Sequence, residues 1–367
     1  MNDTFNTRPF DHGGTARDGQ RDFSANISPL GVPDPVKAVL RDLADSNELA
    51  RYPDPDCTEL RRAIAEREQV RPEQVLCGNG AADLIYRFAA ALTPRRALIL
   101  QPTFSEYEKA LAMTDCDVQY APLLPEQGFV WTEELLSQLT PDLDLFVFCS
   151  PNNPTGVSAP PDLLEQVLDR CAEQDIAVLW DASFLDFSET PETYRAILRK
   201  AWDRQQSLHV LNSFTKLYAL AGLRLGYFLT TDTALLSAVQ EAGAPWTVST
   251  AAQAAGVAAL HCDDYVSNVT RYIATEKAFL RKELAALGFV APGNGGERVL
   301  VPSDANFFLL RTEREDLADI LEERYDIVLR RAETFPGLDE HWVRTAVRGR
   351  DDNAKLTNAL KEVLGRG

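Results

Sequence analysis

Four segments of the chain carry reactive or anion-binding side chains after predicted buried strands. In chain order these side chains are Asn153, Asp181, Lys216 and Arg224. Open α/β sheets bind ligands at the carboxyl ends of their strands, so the four are expected to share one edge of a sheet. Taken singly, such residues often have an ordinary structural role instead of a catalytic one. Asn-Pro-Thr-Gly is a common turn, Asp often caps a helix and Lys is usually solvated. Their occurrence together favours a single site.

In this order the residues resemble those of the fold type I pyridoxal-phosphate enzymes of the class I and II aminotransferase kind. The resemblance implies pyridoxal 5'-phosphate as the cofactor. Its aldehyde requires an amine, and Lys216 offers one whose pKa falls when it is desolvated beside cations. Its ring nitrogen must stay protonated, which calls for a buried carboxylate such as Asp181. Lys216 and Asp181 are therefore the predicted catalytic residues, and Asn153 would donate to the phenolate oxygen of the cofactor.

The same resemblance predicts the other cofactor contacts. A phosphate is bound by backbone amides at a helix start, by hydroxyl groups and by a guanidinium. The residues predicted for this purpose are Gly80, Ala81, Ala82, Ser213, Thr215 and Arg224. Tyr107, or alternatively Phe104, would stack on the cofactor ring, and Ser183 would lie under it. Tyr52 would reach the cofactor phosphate of the neighbouring subunit, which implies a homodimer.

Further segments resemble a narrower family, the threonine-phosphate decarboxylases of cobalamin synthesis. These segments are His-Gly-Gly at 12–14 and residues 23–31, 52–57, 79–86, 184–187 and 335–338. Histidinol-phosphate aminotransferases share the Tyr-Pro-Asp-Pro and Gly-Leu-Arg-Leu-Gly elements, whereas His-Gly-Gly and Phe-Pro-Gly-Leu favour the decarboxylases. The resemblance implies decarboxylation of L-threonine O-3-phosphate to 1-amino-2-propanol phosphate. The alternative is a histidinol-phosphate or related aminotransferase.

This resemblance also implies the contacts to a small phosphorylated amino-acid substrate. Arg344 would hold the substrate carboxylate, and Arg330 would bind the phosphate or the carboxylate. His12 and Asn26 would close over the substrate from the N-terminal arm, beside Asn153.

The sequence departs from the family pattern at a few positions. Ser150 replaces the usual Asn before Pro151, and Ala182-Ser183 replaces Glu-Ala after Asp181. Arg331 stands where relatives often have Asp. An additional cation there would favour a more anionic substrate or disturb the usual one, so these positions bear on substrate identity.

The elements that must position these residues follow an α/β order. Short, nearly continuous apolar runs at 97–100, 145–149, 176–180, 208–211 and 225–229 indicate strands covered on both faces, and helical patterns separate them. With the resemblance, this predicts a mostly parallel seven-stranded sheet flanked by helices, plus a smaller α+β domain containing a strand at 327–330. The predicted division is an N-terminal arm and part of the small domain at 1–48, a large cofactor-binding domain at 49–255 and a small domain at 256–367.

Composition limits the classes of partner. The chain has 367 residues and a formal net charge of −18, which disfavours nucleic acid and anionic membranes. No secretory signal or membrane span is apparent, so a cytoplasmic location is expected. The six cysteines lack metal-binding or CxxC spacing, and no metal is expected. A regulator that senses pyridoxal phosphate is a third possibility. It is disfavoured because such proteins carry an additional basic DNA-binding domain, whereas this chain has a net charge of −18.

Overall fold

The computed structural model describes residues 12–204 and 207–365, so residues 1–11 of the predicted arm lie outside the described residues. The strands, numbered β1 to β13 in chain order, are Arg21–Asp22, Val75–Gly78, Arg96–Gln101, Asp117–Pro122, Leu145–Cys149, Ala177–Asp181, Leu208–Ser213, Gly226–Thr230, Val299–Leu300, Phe307–Arg311, Ile327–Val328, Arg330–Arg331 and Trp342–Ala346. The helices, numbered α1 to α13, are Asp34–Asp45, Thr58–Glu68, Ala81–Leu92, Glu106–Leu111, Glu134–Gln138, Pro161–Glu173, Pro191–Trp202, Phe214–Leu217, Thr233–Glu241, Thr250–Leu260, Asp263–Ala286, Leu317–Tyr325 and Arg350–Leu364.

Seven strands form the large sheet, in the order β2-β8-β7-β6-β5-β3-β4. Strand β8 runs antiparallel to both neighbours, and the other pairs are parallel. Strands β5, β6, β7 and β8 are buried along their whole length. The continuous apolar runs therefore correspond to strands covered on both faces, and the predicted mostly parallel α/β sheet is confirmed.

A four-stranded antiparallel sheet, β12-β13-β10-β9, is built from the last third of the chain. The predicted strand at 327–330 is two strands, because Leu329 interrupts it. Strand β11 pairs in parallel with β1, whereas β12 pairs with β13. The N-terminal segment is thus hydrogen-bonded to the C-terminal part of the chain. The predicted domain boundaries remain a prediction.

Side chains cap the starts of helices α9 and α10. The Asp232 side chain accepts from the amides of Ala234 and Leu235, and Ser249 accepts from Ala252. Helix α3, like most of the described helices, has no side-chain cap, and Gly80 precedes its first turn. Its first amides are therefore open to an anion. Among the described helices, none is long and apolar enough to cross a membrane.

Acid should destabilise the protein through His209. This strand residue is 1% exposed, packs against the rings of Phe88 and Phe228 and contacts Thr230 Oγ1 at 2.8 Å through Nδ1. Burial lowers the pKa of His209 to about 4, against 6.5 ordinarily. The unfolded chain therefore binds the extra proton more readily, so the stabilising contribution is fully present above pH 6.5 and is lost as the pH falls towards 4. The free energy of unfolding should fall by about 3 kcal/mol in total because of this group.

The measurement is urea unfolding followed by circular dichroism between pH 4 and 7. We expect His209→Gln to flatten the pH dependence of the free energy of unfolding, even if the variant is less stable throughout. His261→Gln is the control because His261 is exposed. An equal slope in wild type and His209→Gln would contradict the prediction.

Candidate active site

A cavity of about 440 Å³ opens at the carboxyl ends of the large-sheet strands and extends to the small sheet. The predicted residues that line it are His12, Asn26, Ala81, Ala82, Tyr107, Asn153, Asp181, Ser183, Ser213, Thr215, Lys216, Arg224, Arg330 and Arg344. Gly80 is not among the lining residues, but it lies against Arg224, which is. Tyr52 does not line it: its side chain is 79% exposed and stacks on Trp246, with ring centroids 4.5 Å apart.

One end of the cavity is suited to a phosphate. The open first turn of α3 presents the amides of Ala81 and Ala82, and Arg224 faces the same turn. A Cβ at Gly80 would lie 2.6 Å from Arg224 Nη2, and Gly80 has a φ of +84°. Only glycine therefore lets this guanidinium approach the helix start without strain. Backbone amides and a cation converge here as an anion requires.

Lys216 lies in the single-turn helix α8, which Ser213 caps by accepting from the Thr215 amide at 3.1 Å. The Lys216 ammonium lies 5.8 Å from the centre of the Phe184 ring. Burial, with the charges of Arg224 and Arg344 and against the opposing charge of Asp181, lowers the pKa of Lys216 to about 8. A substantial fraction of this amine is therefore neutral, and nucleophilic, near physiological pH.

Asp181 ends strand β6 and is 5% exposed. Its Oδ2 accepts from the Tyr107 hydroxyl at 2.6 Å, and its Oδ1 accepts from the Ser183 amide at 2.9 Å. Burial, with the nearby Asp181 charge, raises the pKa of Tyr107 well above its ordinary value, so Tyr107 remains a donor. Phe104 also lines the cavity, in edge contact with Tyr107. Which of the two rings would stack on a cofactor remains a prediction.

Arg344, on β13, connects the two sheets at the cavity. Its Nη1 donates to Asn153 Oδ1, and its Nη2 donates to the Ser24 carbonyl at 2.7 Å. Its Nε is buried without a hydrogen-bond partner. Burial and the nearby Arg330 lower the pKa of Arg344 to about 9 while Asp22 opposes them, which still leaves the guanidinium charged at neutral pH. This buried cation, whose Nε has no partner, is suited to an anionic ligand.

The side chains of Arg330 and Arg331, the two residues of β12, point to different surroundings. Arg330 lines the cavity, donates to Thr334 Oγ1 at 2.8 Å and lies 5.2 Å from the centre of the Phe335 ring. Arg331 pairs with Asp319 on α12 and does not line the cavity. The additional cation at this position is therefore engaged elsewhere, and the expected effect of Arg331 on the substrate has no support in the geometry.

The N-terminal arm contributes His12 and Asn26. His12 Nε2 lies 3.1 Å from Glu106 Oε1, and Glu106 also accepts from the Tyr86 hydroxyl at 2.8 Å. The Oδ1 atom of Asn26 is buried without a partner. Sequence reasoning missed Glu106, although it belongs to the Pro-Thr-Phe-Ser-Glu-Tyr segment that supplied Tyr107. No spacing signal separates an acid that faces this cavity from one on a helix surface.

A second set of buried charges supports the Lys216 helix from outside the cavity. Two residues after Lys216, the Tyr218 hydroxyl accepts from Arg67 at 2.7 Å. Arg67 also pairs with Asp186 at 3.2 Å, as does Arg195. Burial alone would raise the pKa of Asp186, but Arg67 and Arg195 outweigh it and leave that pKa below its ordinary value. Glu68 lies 3.7 Å from Arg67 and 4.0 Å from Arg195, so two acids match two bases in this network, unlike in the cavity.

The residues present fit pyridoxal phosphate. The orphaned Arg344 Nε, the uncapped α3 turn beside Gly80 and the buried Lys216 together offer two anion sites and one amine. Asp181 is placed beside them as a buried carboxylate. The α3 turn matches the phosphate of that cofactor, Lys216 its aldehyde and Asp181 its ring nitrogen. The Arg344 guanidinium is left for a substrate anion.

Comparison with known proteins gives a consistent result. The family model "Aminotransferase class I and II" matches residues 19–363. The threonine-phosphate decarboxylase of Salmonella typhimurium is 37% identical over 96% of this chain and 93% of its own length. The histidinol-phosphate aminotransferase of Clostridium acetobutylicum has a TM-score of 0.84 at 26% identity, over 94% of this chain and 99% of that one. The L-threonine-O-3-phosphate decarboxylase of Porphyromonas gingivalis has a TM-score of 0.76 at 25% identity, with the same coverages.

The reaction of Lys216 with an aldehyde should depend on pH. Protein freed of cofactor should take up pyridoxal phosphate faster as the pH rises through about 8, because only the neutral amine attacks. The visible absorption of the lysine-bound cofactor gives the rate. Lys216→Ala should form no such band, and Lys277→Ala is the control because Lys277 is buried outside the cavity. A band that persists in Lys216→Ala would refute the assignment.

Proposed function

The chain belongs to the class I and II aminotransferase family, and from this premise we propose that it decarboxylates L-threonine O-3-phosphate to 1-amino-2-propanol phosphate, with pyridoxal phosphate as cofactor. The observation that carries the proposal is the placement of Arg344 and Arg330 in one cavity with Lys216. Two guanidinium groups beside an amine site match an amino acid that bears a second anion. The Salmonella and Porphyromonas relatives, named for this reaction, support it.

Each group has a defined task in this reaction. When bound, pyridoxal phosphate supplies an electron sink for the pair left at the α carbon as carbon dioxide departs. Arg344 holds the substrate carboxylate and so selects the bond that breaks. Arg330 binds the substrate phosphate or carboxylate, and His12 and Asn26 close over the substrate. Lys216 returns a proton to the α carbon, which completes the exchange of a carboxylate for hydrogen.

The remaining cofactor contacts follow from the site. Asp181 would hold the ring nitrogen protonated, with its carboxylate fixed by Tyr107 and the Ser183 amide. The side-chain oxygen of Asn153 is occupied by Arg344, so its amide nitrogen is the group available to donate to the phenolate oxygen. The α3 amides, Ser213, Thr215 and Arg224 would hold the phosphate.

The proposal is tested with purified holoprotein and two substrate mixtures. O-phospho-L-threonine should yield carbon dioxide and an equal amount of amine, without glutamate. Histidinol phosphate with 2-oxoglutarate should yield no glutamate. Glutamate from the second mixture would instead establish an aminotransferase, and the absence of both products would refute the proposed substrate.

We further propose that the active protein is a homodimer in which Tyr52 reaches the cofactor phosphate of the partner subunit. Tyr52 and Trp246 stack together on the surface, and Leu49 nearby in the chain is 58% exposed. Contiguous exposed apolar side chains, unlike single ones, mark surfaces that associate, and the Tyr52 and Trp246 rings are contiguous. Tyr52 does not line the cavity of its own chain, which supports a role towards a second copy.

Mixed dimers test this arrangement. Tyr52→Phe alone should weaken cofactor binding about tenfold, as expected for one lost charge-assisted hydrogen bond. In a mixed dimer of Tyr52→Phe and Lys216→Ala subunits, the site that keeps Lys216 would receive an intact Tyr52 from its partner, so its cofactor affinity should equal the wild-type value. Light scattering gives the mass, and absorption titration gives the affinity. A monomeric mass, or an affinity that stays weak in the mixed dimer, would contradict the proposal.

A further inference from the structure

Three cations of the cavity lie against phenylalanine rings. Arg330 lies against Phe335, and the Lys216 ammonium lies 5.8 Å from the centre of Phe184. The Arg344 guanidinium carbon lies 5.3 Å from the centre of Phe307. Such distances are within the range of cation–π attraction.

The rings under Lys216 and Arg344 also contact each other. Phe184 and Phe307 are both buried, with centroids 5.1 Å apart and planes at 81°, an edge-to-face pair. Phe184 follows strand β6 of the large sheet and lines the cavity, whereas Phe307 begins strand β10 of the small sheet and does not line it. A continuous aromatic contact therefore joins the supports of the amine and of the guanidinium.

A ring supports Arg344 in a way that a carboxylate would not. The face of an aromatic ring attracts a cation but carries no net charge, so the guanidinium keeps its full charge for a ligand. Its two hydrogen-bond acceptors, Asn153 Oδ1 and the Ser24 carbonyl, are also neutral. Asp22 is the nearby acid, and its Oδ1 is occupied by the amide and hydroxyl of Ser24.

We infer that Phe307 is a positioning residue that holds the Arg344 guanidinium in place for the α-carboxylate of the substrate and so determines the preference for carboxylate-bearing ligands. This inference rests on the proposed function only in taking an α-amino acid as the ligand. Phe307 acts through Arg344, because it does not reach the cavity itself.

Phe307→Leu removes the ring and keeps the position apolar. The matched control is Phe308→Leu, because Phe308 is the next residue of the same strand, is equally buried, and lies 5.7 Å from Arg281 outside the cavity. The ligands are O-phospho-L-threonine and 1-amino-2-propanol phosphate, which differ only in the carboxylate. The dissociation constant of the amino alcohol phosphate is measured on the holoprotein from the change in visible absorption. That of phospho-threonine is taken from the same change within the first milliseconds after rapid mixing, before decarboxylation consumes the ligand.

We expect Phe307→Leu to weaken phospho-threonine binding about tenfold, the upper part of the range for a cation–π contact in a desolvated site. Binding of the amino alcohol phosphate should change less than twofold, and Phe308→Leu should affect neither ligand. In an Arg344→Gln background, Phe307→Leu should have no further effect on phospho-threonine, since its partner is gone. Phe307→Met replaces Phe307→Leu if the latter does not fold.

An equal loss for both ligands, or a full additional loss in the Arg344→Gln background, would overturn the inference. Failure of the proposed function is a separate result, namely no carbon dioxide from phospho-threonine in the wild-type protein. If the wild type does not bind phospho-threonine, glutamate and 4-aminobutyrate form the equivalent pair with and without the α-carboxylate. A loss of affinity for glutamate alone would then support the inference, and an equal loss for both would overturn it.

Discussion

The site depends on positive charge that is buried without being neutralised. Arg344 is 5% exposed, and its described contacts are neutral oxygens and an aromatic ring. Taking a cation out of water is unfavourable unless other groups stabilise it, so the folded protein holds an arrangement that anionic ligands would complete. Burial is the main cause of the lowered pKa values of Arg344 and Lys216, and neighbouring guanidinium groups add to it. Affinity for a carboxylate and a reactive amine thus have a common physical origin.

The rest of the molecule supplies the rigidity that such an imbalance requires. Outside the cavity, the network formed by two arginines and two acids, Arg67, Arg195, Asp186 and Glu68, matches charge with charge and holds Tyr218, two residues beyond Lys216. Balanced ion pairs of this kind keep their geometry when ligands come and go, because each charge is already compensated. At the cavity, the ring of Phe307 and two neutral oxygens take that supporting role for Arg344 without neutralising its charge.

Much of the fold could be predicted because its signals are local. The continuous apolar runs at 145–149 and 208–211 lie in buried parallel strands, as their pattern indicated. Strand Asp117–Pro122 gave no such signal, because it lies at the sheet edge and most of its residues are exposed. The pairing of Arg21 with Ile327 was equally unavailable, since hydrogen bonds between backbone groups carry no residue signature.

The sequence by itself determined the cofactor chemistry, because an amide, a carboxylate, an amine and a guanidinium occur in the order that resembles the pyridoxal-phosphate enzymes. Three of these groups lie at or after the end of a parallel strand, whereas Arg224 precedes the antiparallel strand β8, which starts at the same edge of the sheet. The sequence also determined the family through segments such as His-Gly-Gly. Only the tertiary structure decided where the other charges point. Neighbouring arginines diverge, with Arg330 in the cavity and Arg331 on Asp319, because adjacent residues of a strand face opposite sides. The contacts of Glu106 with His12 and of Phe307 with Arg344 likewise arise from packing between distant segments, which no spacing along the chain encodes.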